Sequence, residues 1–211
     1  MGTLSRKTLE RLTLLAAIAE YPDGCYGRER LQKVVYFGSK DARTKPFTFK
    51  YWNHGQYSWD IADRAIELAT LGLIIATPLE TTDGEREGDK LSFIESDYRV
   101  KFQLLMEQVA PDLSGKLREA VLGIGMMKHD PLEDFAHEDP ALQDKERGDI
   151  ILESNLEERT SIPALTDEEC EDIELCLNPA LVSAARRIVR AVQSRKIDLT
   201  KVRSVTVRES A

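Results

Sequence analysis

The chain reads as an α+β protein, mainly α-helical, and three observations predict that class. Apolar residues recur at spacings of three and four over 5–20, 27–41 and 58–71, the period of amphipathic helices. Residues 47–52 alternate instead, and the short runs LIIATPLE and KLSFIE flank the polar, glycine-containing loop TTDGEREGD. Periodicity then fades over 129–164 as acidity rises, and returns at Leu165.

The first helix is predicted over 5–20 from Leu9, Leu12, Leu15, Ala16, Ile18 and Ala19, with Pro22-Asp23-Gly24 stopping it. The second runs from about Gly27 to Asp41 and buries Leu31, Val34, Val35 and Phe37. A strand follows, with Phe47, Phe49 and Tyr51 on one side, then a turn through Asn53-His54-Gly55. Ser58 is placed to cap a third helix with its hydroxyl. Ile61, Ala62, Ala65, Ile66 and Ala69 form that helix's apolar stripe, and Gly72 suits a left-handed end. Residues 73–80 and 90–95 read as a hairpin, with Pro78 on an edge.

Helix, helix, helix, hairpin is the inventory of a winged-helix module. Two further helices follow, one striped by Tyr98, Phe102, Leu105, Met106 and Val109, the other by Leu113, Leu117, Val121, Leu122 and Ile124. Residues 1–128 are therefore expected to be a winged-helix-like N-terminal module with a small β-hairpin and extra helices. Residues 129–164 read as an acidic, irregular linker in which Ile150-Ile151-Leu152 can dock on the core. Residues 165–211 read as a C-terminal helical hairpin and tail. Thr166 with Glu169 fits a capping box and Leu165 with Cys170 a hydrophobic staple, opening an acidic helix to Leu177. Asn178-Pro179 restarts the chain as a basic helix to about Arg195.

Composition bounds the function. Of 211 residues, 42% are hydrophobic and 31% charged, as in a soluble globular protein. No apolar run approaches a membrane span and Met1 to Leu9 has no apolar signal core, so a cytoplasmic location is expected. Cys25, Cys170 and Cys176 are odd in number and lack ligand spacing, so idle thiols are expected rather than a metal site. The net charge of −8 is unevenly spread: +5 over 1–57, −6 over 58–110, −13 over 111–178 and +6 over 179–211.

The predicted third helix offers Asp60, Asp63 and Glu67 against Arg64, and the hairpin loop adds Asp83, Glu85, Glu87 and Asp89 against Arg86 and Lys90. Such a face repels a phosphate backbone, which disfavours groove-reading DNA binding. A second basic face from Arg28, Arg30, Lys33, Lys40, Arg43, Lys45 and Lys50 reads more simply as solvated helix surface. Tyr51, Trp52, Tyr57 and Trp59 crowd around His54, and aromatic anchors dominate many protein interfaces. The core reading is favoured for Tyr51 and Trp59 and left open for Trp52 and Tyr57. His129-Asp130 and His137-Glu138-Asp139 set imidazole beside carboxylate, the one hint of a metal-assisted hydrolase. No serine elbow, phosphate-cradling loop or HExxH motif appears, and no cofactor or metal is expected.

The run Gly27-Arg28-Glu29-Arg30-Leu31-Gln32-Lys33-Val34-Val35-Tyr36, the aromatic strand, His54-Gly55-Gln56-Tyr57-Ser58 and Leu71-Gly72-Leu73-Ile74 together carry a family resemblance. Over about residues 5–110 the chain resembles the Panacea domain of SocA-like antitoxins and the related YwgA-like bacterial proteins, with Gln56 where that pattern has proline. The resemblance implies a non-catalytic, antitoxin-like role. The chain would bind a partner protein, a toxin or defence effector, and hold it inactive or deliver it to a protease or chaperone. Trp52, His54, Tyr57, Arg28, Arg30 and Lys33 on the module, and Arg186, Arg187 and Arg190 on the tail, are the candidate contacts. A transcriptional regulator that binds DNA is the alternative from another class.

Overall fold

The computed structural model describes residues 1–80 and 86–179. It is an α+β fold, mainly helical, built around a central helix α1 (Arg6–Ala19). From Thr8 to Ala19 every residue of α1 is buried, because Leu9, Leu12, Leu14, Leu15 and Ile18 leave no wholly polar face. Two charged residues go inside with it and must be paired. Glu10 lies 2.9 Å from Arg6 and 3.2 Å from Arg64, while Arg11 lies 2.8 Å from Glu67. Ser5 caps α1 by accepting the Thr8 amide.

Around α1 pack α2 (Arg28–Lys40), α3 (Trp59–Leu71), α4 (Ser96–Val109) and α5 (Pro111–Ala120). The approach of α2 to α5 depends on Gly38, where an added Cβ would stand 2.9 Å from Leu117 Cδ2 and 3.1 Å from its Cα. Helix α5 ends in a π-helical turn, Val121–Gly125, which holds Gly123 and Gly125. Gly72 ends α3 at φ 73°, the left-handed cap expected there.

Among the described residues, three small sheets dress the bundle. Strand β2 (Cys25–Tyr26) pairs with β6 (Arg86–Phe93), which pairs in turn with β5 (Ile74–Glu80), giving the order β2-β6-β5. Strand β3 (Phe49–Trp52) forms a tight hairpin with β4 (Gly55–Tyr57), with Trp52 opposite Gly55. Strand β1 (Gly2–Ser5) pairs with β8 (Arg159–Ile162), a pairing without local sequence signal.

Three expectations are corrected. The span 129–164 is not an irregular linker. It holds α6 (His129–His137), a 3-10 turn at Pro140–Leu142, β7 (Ile150–Leu152) on β3, and β8 on β1. Its buried anchors, Leu132, Ala136, Leu142, Leu152 and Ile162, are too sparse to show a period, yet Leu132, Leu152 and Ile162 join the core. Ser58 stands at the N-cap of α3, but its hydroxyl accepts no amide. Instead the Gln32 side chain donates to Ser58 O and accepts from Ser58 N, both at 2.9 Å. Finally, α3 buries Ile61, Ala65 and Leu68 while Ile66 and Ala69 face outward, so the apolar stripe is rotated from the expected one.

Helix α7 (Asp167–Cys176) has the capping box expected of Thr166 and Glu169. It packs on β1, where Glu174 Oε1 accepts the Ser5 amide at 2.5 Å. Cys25 and Cys170 are buried and Cys176 exposed, all as free thiols. The basic helix expected after Asn178-Pro179, with Arg186, Arg187 and Arg190, falls outside the described residues. No helix among the described residues is long and apolar enough to cross a membrane.

Candidate functional site

The β3–β4 hairpin, the start of α2 and the first two turns of α3 line a cavity of about 420 Å³ that opens to solvent. Its walls include Leu31, Trp52, Tyr57, Trp59, Ile61 and Ala65, and its polar groups include Arg28, Glu29, Lys33 and His54. Trp59 is the hub of the aromatic wall. Trp52 meets it edge-on at 5.0 Å between ring centroids and Tyr57 at 4.8 Å. The Arg147 guanidinium lies 3.9 Å from the Trp52 ring centroid and stacks on that ring from outside. Against the core placement expected for it, Trp59 is 46% exposed at the cavity wall.

Lys33 lies buried on the helix side of the cavity, at 1% exposure, and donates to His54 O. Burial pulls its ammonium down to about 8, because Glu29 and Glu133 return only part of the lost solvation. Arg28 stays exposed and pairs with Asp89 at 2.8 Å. Arg30 is elsewhere: its guanidinium donates to the carbonyls of Tyr26, Gly125 and Met127, pinning the π-helical turn to α2. Of the module's candidate contacts, then, Arg28, Lys33, Trp52, His54 and Tyr57 share one cavity, and Arg30 is consumed inside the fold.

Gln56 links the hairpin to the span beyond it. Its Nε2 donates to Ala136 O at 2.9 Å and to Asp139 Oδ2 at 3.2 Å. Asp139 also accepts from Lys40 at 2.6 Å. Burial alone would raise its carboxyl, but Lys40 and the Ala141 amide outweigh that and hold it below the usual carboxylate range. Helix α6 is thereby fixed across the hairpin.

On that helix the chain's three histidines converge. His129 and His137 stand one turn before and after Glu133. His54 Nδ1 lies 3.1 Å from Glu133 Oε1, His137 Nε2 3.8 Å from it, and His129 Nδ1 4.0 Å from Glu133 Oε2. His129 Nε2 reaches Glu29 Oε2 at 3.3 Å. The hydrogen bond from His54, with the charges of the imidazoles, holds the Glu133 carboxyl low. Burial would lower His129, but Glu29, Asp130 and Glu133 together raise it. Glu29 and Glu133 were not singled out from the sequence. The signal available for Glu133 was its spacing of four from both His129 and His137, one face of a helix.

No protein-family model, curated protein or solved structure matches the chain.

Proposed function

We propose that the chain is a non-catalytic protein-binding module, antitoxin-like in role, which grips a toxin or defence effector through the aromatic cavity. The observation that supports this reading is the convergence of Arg28, Lys33, Trp52, His54 and Tyr57 on one cavity with Trp59. Rigid aromatic walls over a desolvated cation suit one kind of occupant: an apolar or aromatic side chain of the partner with a carboxylate beside it. The apolar side chain would fill the space against Trp52, Tyr57 and Trp59, and the carboxylate would neutralise Lys33. Along the outward face of α3, Trp59 at the cavity wall and Ile66 two turns on are both exposed.

A winged-helix reading of the N-terminal module is supported by the order α1, β2, α2, α3, β5, β6, with the β3–β4 hairpin inserted between α2 and α3, and by β2 pairing on β6. In that arrangement α3 is the element offered to a DNA groove. Its outward residues include Asp63, Ile66 and Ala69, while Arg64 is buried between Glu10 and Glu67. A surface with that chemistry favours polypeptide over a phosphate backbone.

Co-expression with the products of adjacent genes, followed by pull-down, tests the reading. A co-purifying partner whose toxicity is relieved, and which Trp52→Ala with Tyr57→Ala releases, is the expected outcome. If nothing co-purifies and no toxicity is relieved, the antitoxin reading falls. A gel shift whose affinity drops steeply with salt and weakens on charge reversal of Arg28 would replace it with the DNA alternative.

A further inference from the structure

Three separate segments deliver ligand-type atoms to one point beside the cavity: Glu29 from α2, His54 from the β3–β4 turn and Glu133 from α6. One ligand atom from each lies within 4.8 Å of the other two. Three ligands at about 2.1 Å from a tetrahedral centre stand about 3.4 Å apart, somewhat closer than the 4.8 Å bound on this set. The imidazoles of His54 and His129 offset the two facing carboxylates only in part, whereas a central cation satisfies both. His129 touches both Glu29 and Glu133, and His137 touches Glu133, which places them to hold the carboxylates in position.

We propose that Glu29, His54 and Glu133 form a binding site for a divalent transition-metal ion, Zn²⁺ by preference. One nitrogen and two carboxylate oxygens suit a borderline cation better than Mg²⁺ or Ca²⁺, which prefer all-oxygen shells. Three protein ligands leave a coordination position open. Glu29 and His54 also line the cavity, so the ion sits at its rim, where a water or a partner's carboxylate, imidazole or thiolate completes the shell. The ion would also clamp α2, the hairpin turn and α6 together. This proposal stands apart from the protein-binding reading, since the ion can bind with or without a partner.

The test uses the full chain without a histidine tag, stripped with chelator and titrated with Zn²⁺ by calorimetry, then with Co²⁺ by absorption spectroscopy. One Zn²⁺ per chain is expected, with an upward shift of the thermal midpoint on binding. The Co²⁺ form should show d–d bands without thiolate-to-metal charge transfer. Glu133→Gln and His54→Ala should each weaken binding by at least about tenfold, and His129→Gln by about tenfold, while the metal-free thermal midpoint reports that each variant still folds. No saturable binding, a thiolate charge-transfer band, or affinity unchanged in folded Glu133→Gln and His54→Ala would overturn the site.

Discussion

Gln32 and Ser58 are joined by a reciprocal pair of hydrogen bonds, side-chain amide to backbone, each 2.9 Å long and buried. The pair fixes the start of α3 on α2 and so sets the width of the cavity between them. Gln32→Ala strands a buried amide and a buried carbonyl, and should cost about 2–4 kcal/mol. Chemical denaturation gives the loss, and Gln32→Glu, which keeps the acceptor, should recover part of it.

Gly38→Ala should destabilise the fold by about 1–3 kcal/mol, although alanine is the better helix former. The new methyl would meet Leu117 at its backbone, which cannot swing aside. Unchanged or improved stability in urea melts would show that α2 and α5 have slack the close approach denies.

Lys33 predicts a rise of stability in alkali. Its pKa is about 8 folded and 10.5 unfolded, so below pH 8 both states are protonated and the cost of the buried charge is complete. Between pH 8 and 10.5 the folded state sheds the proton first, and stability should gain up to about 3 kcal/mol as pH rises. Denaturation midpoints of wild type and Lys33→Met, compared across that window, isolate the effect, because the variant should lack this increment.

Asp139 predicts the opposite limb. Its folded pKa lies below the unfolded value of 3.8, so its contribution is present above that pH and disappears as pH falls through the folded pKa. Asp139→Asn should cost about 1–3 kcal/mol at neutral pH and show a shallower loss in acid. Parallel acid titrations of the two proteins, followed by circular dichroism, would reveal a shared slope if the carboxylate were unimportant.

Residues 1–128 alone should not fold cooperatively. They would lack α6, β7, β8 and α7, which cover the edges of β1 and β3 and bury Leu132, Leu152 and Ile162 against the bundle. Near-ultraviolet dichroism and dye binding, set against the full chain, would distinguish a loosely packed state from an intact domain.

The bundle was legible in the sequence because α1, α2, α4 and α5 each turn a periodic apolar stripe towards the core, in α4 through buried Met106 and Val109 with partly buried Phe102 and Leu105, and Gly72 and the Thr166–Glu169 box marked ends by their chemistry. The rotation of α3 was hidden: Ile66 and Leu68 look alike in a hydropathy profile, and only the docking set by Gln32 decides which is buried. Strands β1, β7 and β8 are short, and their partners lie about a hundred residues or more away, so no local pattern announces them. The aromatic wall was visible from Trp52 and Tyr57. The histidine cluster was half visible, since His129 and His137 stood out while Glu29 and Glu133, ordinary surface acids in one dimension, acquire their role only when α2 meets α6.

The antiparallel match of Gly2–Ser5 with Arg159–Ile162 also dictates an order of events during synthesis. A nascent polypeptide exposes its first strand from the moment that segment leaves the ribosome, and the complementary strand emerges more than 150 residues later. Throughout that interval the free edge is open to pairing with neighbouring chains. Slowing translation of the segment between these two strands should therefore increase aggregation.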